Sequence, residues 1–260
     1  MLPWIESHTI PLGPIQLQTW GTFVAAGILI GSYISARRAK VKGLDEKHVW
    51  DMLFWVIVSS FVGARLFHVL FYDLGHYLQR PWDAIDPRLP GFAMWGGFLG
   101  AAIAFILLVR IKKLDFLRYA DASVWGIPWG IMIGRIGCFL IHDHPGTLSH
   151  SLLAVRYPDG QGRHDLGLYL SLSGLVMGLI FLVLNRKDRR AGFYLGAWIA
   201  VEAFTRLWLD FYRLVDVKYF GLTPTQWLTF PAFTIGLYLV ATKGGWSHGL
   251  KDSRESEDHD

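Results

Sequence analysis

Glu202, Arg206 and Asp210 recur every four residues, which on a helix places acid, base and acid along one face where they neutralise one another. A guanidinium held between carboxylates is pre-aimed to grip a second anion such as a phosphate; the alternative is a structural ion-pair ladder. Arg135 stands in Gly134-Arg135-Ile136-Gly137-Cys138-Phe139, where glycines let backbone and cation approach a ligand closely. Its alternative is an arginine that snorkels toward an interface. His142-Asp143-His144-Pro145-Gly146 and Arg163-His164-Asp165 gather three histidines and two aspartates in one polar stretch. Such a set can supply a general base that titrates near neutrality, with His142, Asp143 and His144 as the candidates. The usual helix-borne histidine spacings of a metal site do not occur in it, so no metal is expected; a loop that only caps the preceding helix is the plainer reading.

Three further groups carry weaker signals. Trp95-Gly96-Gly97-Phe98-Leu99-Gly100 places Gly96 and Gly100 at a small-xxx-small spacing, which by itself reads as close helix packing. Gly63-Ala64-Arg65-Leu66-Phe67-His68 is similar in kind, with His68 read as a satisfied bundle histidine. Cys138 is the single cysteine, which excludes a disulfide within the chain and any multi-cysteine metal centre.

These residues sit in a chain of 260 residues that is 52% hydrophobic, 15% aromatic and only 18% charged. Its mean hydropathy is +0.32. A soluble domain carries about a quarter charged residues, so the composition argues for a membrane protein. The net charge of +4 falls in short clusters between apolar runs, a pattern that sets topology and does not suit a nucleic-acid binder. Seven runs are long enough to cross a bilayer as helices: Gln18–Ala36, Trp50–Tyr72, Phe92–Arg110, Tyr119–Ile141, Leu166–Asn185, Gly192–Arg213 and Pro224–Thr242. The first is read as a retained helix, because its polar, proline-containing approach does not suit a cleavable signal peptide. The expected fold is all-α, a polytopic bundle of seven transmembrane helices over residues 1–242, followed by a cytoplasmic, disordered tail at 243–260.

Lysine and arginine alternate in abundance from loop to loop. The first, third and fifth loops and the tail are rich in them, while the opposite loops hold only Arg80, Arg88, Arg156, Arg163, Arg213 and Lys218. The positive-inside rule then places the N-terminus outside and the C-terminus in the cytoplasm. Asp51, Arg65, Arg135, Glu202, Arg206 and Asp210 remain within or near the spans, where each ionisable group costs roughly 2.5–3.5 kcal/mol and is a functional candidate by default. Pro128 permits a break in the fourth span. No internal repeat is visible, which disfavours a transporter.

In this order the residues resemble the prolipoprotein diacylglyceryl transferase family, over about Thr19 to Val240. The family pattern at the outer end of the fourth span, approximately G-R-I-G-N-F-x-N-x-E-x-x-G, is matched by Gly134-Arg135-Ile136-Gly137-Cys138-Phe139, then Asp143 for Glu, and Gly146. Gly63-Ala64-Arg65, Asp121, Arg163-His164 with Leu168-Tyr169, Arg206 with Asp210 for Glu, and Gly221-Leu222-Thr223 with Gln226 follow in step. The resemblance implies a multi-pass enzyme of the bacterial inner membrane, acting toward the outer leaflet without a cofactor. It implies transfer of the diacylglyceryl group of phosphatidylglycerol to the lipobox cysteine thiol of a preprolipoprotein. Arg135 and Arg206 would hold the phosphate, and Arg65, Trp95, Gly96, Gly97, Cys138, Gly146, His164, Glu202 and Asp210 would line the substrate cavity. The chain departs from the family where its His-Gly-Gly reads Trp95-Gly96-Gly97, its Asn reads Cys138, its span-one Tyr reads Trp20, and its Glu reads Leu170. Each change removes a polar group, which leaves two alternatives open. One is a diverged paralogue that uses an anionic phospholipid with a different acceptor; the other is a non-catalytic lipid-binding scaffold. It also suggests that His142 or His144 has taken over proton transfer.

Overall fold

The computed structural model describes all residues except 87, 88, 90, 215–219 and 245–260, and all described side chains except those of 94, 95 and 224. Most of the expected tail therefore lies outside the described residues. The seven apolar runs each fall on a helix: α1 (Thr19–Val41), α2 (Glu46–Phe71), then, after a short α3 (Leu74–Gln79), α4 (Met94–Ile111), α5 (Phe116–Ile141), α6 (Leu166–Leu184), α7 (Phe193–Leu209) and α8 (Pro224–Lys243). Among the described residues four, α1, α2, α5 and α6, are long and apolar enough to cross a membrane. The chain is mostly helical rather than all-α, because the polar segments fold into two small sheets. One is a hairpin of β1 (Thr9–Leu12) and β2 (Ile15–Gln18), and the other an antiparallel sheet of order β3 (Pro145–Leu148), β5 (Gly162–Asp165), β4 (Val155–Arg156). Backbone that leaves a helix must still find partners, and these ladders supply them.

Two compact units divide the chain, Ala39–Tyr119 and the remainder, Met1–Arg38 with Ala120–Asp260. In the first, α2 packs along α4 with the Gly63 backbone seated against Gly96 and Gly100. A Cβ at Gly96 would strike the Gly63 carbonyl and the Phe67 side chain, so the small-xxx-small spacing serves helix approach. Asp45 caps α2 by accepting from the Lys47 N–H at 2.9 Å, and Asp51 on α2 pairs with Lys112.

In the larger unit, Gly27 and Gly31 of α1 meet Gly126 and Gly130 of α5, backbone against backbone. The Ser35 hydroxyl donates to the Ser123 carbonyl across that contact at 2.8 Å. Gly174 of α6 lies against the Pro128 carbonyl and Met132, and Gly196 of α7 against Gly236 of α8. Without a hydrophobic drive between helices in lipid, such close approach is what binds them. Helix α5 runs uninterrupted through Pro128, so the expected break does not occur. Helix α1 outruns its expected end at Ala36 by five residues. Arg38, read from sequence as a loop charge, lies buried 4.0 Å over the Trp125 ring, itself stacked on Phe181 in the core.

Candidate functional site

Arg206 lies on the last turns of α7, and its Nε donates to Glu202 Oε1 at 2.9 Å, both side chains about a quarter exposed. Glu202 lines a small cleft with Pro128 of α5, Ser173 and Gly174 of α6, and Trp198 and Thr205 of α7. The ladder expected from the four-residue spacing is only half formed. Asp210, buried at the C-terminus of α7, accepts instead from the Thr223 hydroxyl at 3.1 Å and lies 3.7 Å from Arg213. Thr223 and Gln226 form a reciprocal capping box at the start of α8, and Gln226 Nε2 donates to the Leu207 carbonyl at 3.0 Å. Asp210, Thr223 and Gln226 thus tie the end of α7 to the start of α8. Among the described residues Arg206 pairs with one carboxylate, through Nε, which leaves its other guanidinium donors for a ligand.

Arg135, about three-quarters of the way along α5, reaches the Cys138 sulfur with Nη1 at 3.6 Å, a weak acceptor. Among the described residues no carboxylate pairs with Arg135. Cys138 is buried beneath it, against the backbone of Gly167. The two arginines therefore present cationic edges of different kind, one restrained by Glu202 and one neutralised by nothing described.

The histidines part company. His142 is 7% exposed; its Nδ1 lies 2.6 Å from Asp165 Oδ2 and its Nε2 3.0 Å from the Ile5 carbonyl, so both ring nitrogens are engaged. His144 Nδ1 lies 2.6 Å from Asp143 Oδ1, and both side chains are about a third exposed. His164 Nδ1 lies 2.7 Å from the Tyr169 hydroxyl, with the Tyr212 ring 4.2 Å away. Gly146 bridges Arg213, and a Cβ there would press on the carbonyls of His164 and Tyr212, so two backbones approach as only glycine permits.

Burial lowers the His164 pKa below its ordinary 6.5. The unfolded chain then binds the proton more readily, so His164 contributes stability above about pH 6.5 that is lost as pH falls through its folded value. The protection of β5 amides, measured against their intrinsic exchange rates at each pH, is expected to fall below pH 6.5, and the His164→Gln protein to lose that dependence.

Arg65, expected to bind substrate, has its guanidinium engaged elsewhere. Nε donates to Ala84, Nη1 to Leu89 and Gly91, and Nη2 to Asp83 and Asp86, all backbone carbonyls at 2.6–3.2 Å. A guanidinium has five N–H donors, so these bonds account for its capacity and fold the segment before α4 around it. Gly96 is packed, as above, while Gly97 has only ordinary contacts near its missing side chain. The Trp95 side chain lies outside the described residues. Among the described residues no group of three or more His, Cys, Asp or Glu is arranged to hold a metal ion. Sequence reading missed Tyr157, whose hydroxyl donates to Asp165 at 3.1 Å, and Trp4, whose ring stacks on His142 at 3.7 Å. Nothing in their local spacing announces contacts made so far along the chain.

A half-buried cation restrained by an acid, a second cation on a glycine-rich turn, and a small, mostly apolar cleft that Glu202 lines together suit an anionic ligand with apolar tails. Known proteins agree with that chemistry. The sequence model of the family described as prolipoprotein diacylglyceryl transferase matches residues 7–242. A phosphatidylglycerol–prolipoprotein diacylglyceryl transferase of Nitratidesulfovibrio vulgaris is 32% identical over 93% of this chain and 96% of its own length. The protein of that name from Geobacter sulfurreducens is 30% identical over 92% and 95%, and that from Allorhizobium ampelinum 29% over 96% and 95%. Likeness over nearly the whole length of both chains reflects descent, and the chain belongs to the prolipoprotein diacylglyceryl transferase family.

Proposed function

We propose that this protein transfers the diacylglyceryl group of phosphatidylglycerol to the lipobox cysteine thiol of a preprolipoprotein. The thiolate sulfur attacks the glyceryl carbon that bears the phosphate ester. A sulfur–carbon bond forms, the carbon–oxygen bond breaks, and glycerol 1-phosphate leaves with the electron pair. Arg135 and Arg206 converge on the phosphate and stabilise the charge that grows on the leaving group, where fixed cations contribute most. A thiol is only a few per cent ionised at neutral pH, so its proton needs an acceptor. His144, partly exposed beside Asp143, is the better placed of the two histidine candidates, since His142 has no open nitrogen. Glu202 orients Arg206, and Gly146 and Asp210 shape the surroundings of the lipid without touching it. Cys138 is a small packing residue under Arg135.

The chain crosses the inner membrane seven times, with the N-terminus outside and residues 243–260 in the cytoplasm. Supporting this are the loop-to-loop alternation of lysine and arginine and the helix found at every apolar run. The reaction faces the outer leaflet, because Arg135 and Arg206 lie toward the ends of α5 and α7 that this orientation turns outward.

The observation that carries the reading is the family match across residues 7–242. Purified protein in phosphatidylglycerol nanodiscs, given a lipobox peptide, is expected to add a diacylglyceryl mass to the cysteine and release glycerol phosphate in equal amount. Headgroup release without peptide modification would favour a different acceptor, and neither product would leave a scaffold.

A further inference from the structure

His142 occupies left-handed backbone, φ 48°, which a residue with a Cβ adopts only when its surroundings over-determine it. The surroundings here are several. Trp4 stacks on one face of the imidazole at 3.7 Å, and Phe139, one turn earlier on α5, meets it edge-on at 5.3 Å. The Ile5 carbonyl can only accept, so Nε2 carries a hydrogen toward it. Nδ1 faces Asp165 Oδ2 at 2.6 Å, with both side chains at most 2% exposed. Asp165 is a junction in its own right: Oδ2 also receives the Tyr157 hydroxyl at 3.1 Å, while Oδ1 accepts the Leu168 N–H at 3.0 Å and so caps α6. Burial, and then the Asp165 carboxylate, push the Tyr157 hydroxyl far above its ordinary pKa, so it stays a donor. The N-terminal segment is pinned to the same place, with Ser7 N–H donating to the Leu140 carbonyl at 2.9 Å and Leu2 N–H to the Ala154 carbonyl at 2.7 Å.

The knot stands just past the C-terminal end of α5, about two turns beyond Arg135. Between them Cys138 touches the Arg135 guanidinium, and the backbone of Cys138 and Phe139 backs onto Gly167, two residues past the Asp165 cap. The chain of contacts from Asp165 through His142 and Gly167 to Arg135 is continuous, and no open ring nitrogen remains for proton transfer.

We propose that His142 and Asp165 are positioning residues. Together they lock the end of α5 to the start of α6, the β4–β5 hairpin and the N-terminal segment, and so fix the turn that presents Arg135 to the lipid phosphate. This rests on the transferase reading for the role of Arg135, and on its own geometry for the lock. Glu6, Asp143 and Arg163, charged groups near the knot, have nearer partners in His8, His144 and Asp159.

The test uses full-length protein in phosphatidylglycerol nanodiscs with Asp165→Asn, which keeps a capping oxygen and removes the charge, and His142→Gln, which keeps a donor. Amide exchange of peptides covering 2–8 and 134–148 is expected to quicken by about tenfold in both, with the α7–α8 junction unchanged. The kcat of transfer is expected to fall by about tenfold while KM for phosphatidylglycerol stays within about threefold, as misplacement of a transition-state cation requires. Unchanged exchange in both variants overturns the proposal, as does loosened exchange with undiminished kcat. A kcat loss confined to His142→Gln with exchange unchanged overturns it in favour of a proton carrier. Should His142→Gln fail to fold, Asp165→Asn alone decides. Absence of transfer by the unsubstituted protein refutes the transferase reading, and exchange over 134–148 then decides the lock by itself.

Discussion

An Arg206→Lys protein is expected to accumulate normally and to retain only about a hundredth of the unsubstituted kcat, and Arg206→Ala about a thousandth. The asymmetry follows from geometry. Arg206 spends Nε on Glu202, and under the proposed function the other edge of its planar fork holds the phosphate, two tasks that one rigid group performs at once. A lysine ammonium is a compact charge on a flexible stem; it can follow Glu202 or the phosphate, and the pull of the carboxylate draws it away from the lipid. Folding has little at stake, because an i,i+4 pair on a partly exposed helix face contributes only about 0.5 kcal/mol. Steady-state transfer to a lipobox peptide, set beside a thermal melt of the same preparation, checks both halves. A Glu202→Gln protein is expected to lose much less, about tenfold, since it removes the restraint on the cation and leaves the cation. Normal kcat in Arg206→Lys would mean that the fork geometry is not used.

The apolar runs were legible because length and hydropathy mark them: each of the seven runs from Gln18 to Thr242 holds a helix, and among the described residues α1, α2, α5 and α6 are long and apolar enough to cross a membrane. Helix ends were less so: α1 continues past Ala36 because Arg38 finds the Trp125 ring, a contact between residues far apart in sequence. The two sheets escaped notice since their strands are two to four residues long, too short for alternation to declare itself. Among the candidate residues, Glu202 and Arg206 were found by helical spacing and do pair. Asp210 shares that spacing, yet Thr223 thirteen residues later claims it. Arg65 looked like a ligand-seeking charge for the same reason that it is structural, an arginine in an apolar run needing partners. Only coordinates reveal that five backbone carbonyls of the following segment supply them. His142 drew attention by its neighbours in sequence, and what decides its part is Trp4 and Ile5 at the other end of the chain.

The same chemical change, one added methyl group, is expected to act with opposite sign at two glycines of the larger unit. At Gly126 on α5 a Cβ would run into the Gly31 carbonyl and the Ser35 hydroxyl, so α1 and α5 cannot stay at their present separation. Moving them apart would strain the Ser35 bond to the Ser123 carbonyl and loosen Gly27 from Gly130 along the same seam. Overpacking of this kind costs about 3 kcal/mol, a large part of what holds a domain folded. At Gly21, near the start of α1, nothing lies within 4 Å of the new methyl, and replacing glycine by alanine inside a helix contributes about 0.5–1 kcal/mol of stability. Denaturation of both proteins in mixed micelles should therefore move the midpoint down for Gly126→Ala and up for Gly21→Ala. Because Gly126 lies two and a half turns before Arg135 on α5, its variant should also lower transfer, and a lipid bilayer should restore part of what micelles lose. If Gly126→Ala melts like the unsubstituted protein, backbone contact between α1 and α5 is not what holds that seam, and the wider hydrophobic cluster around Trp125 and Phe181 must bear it.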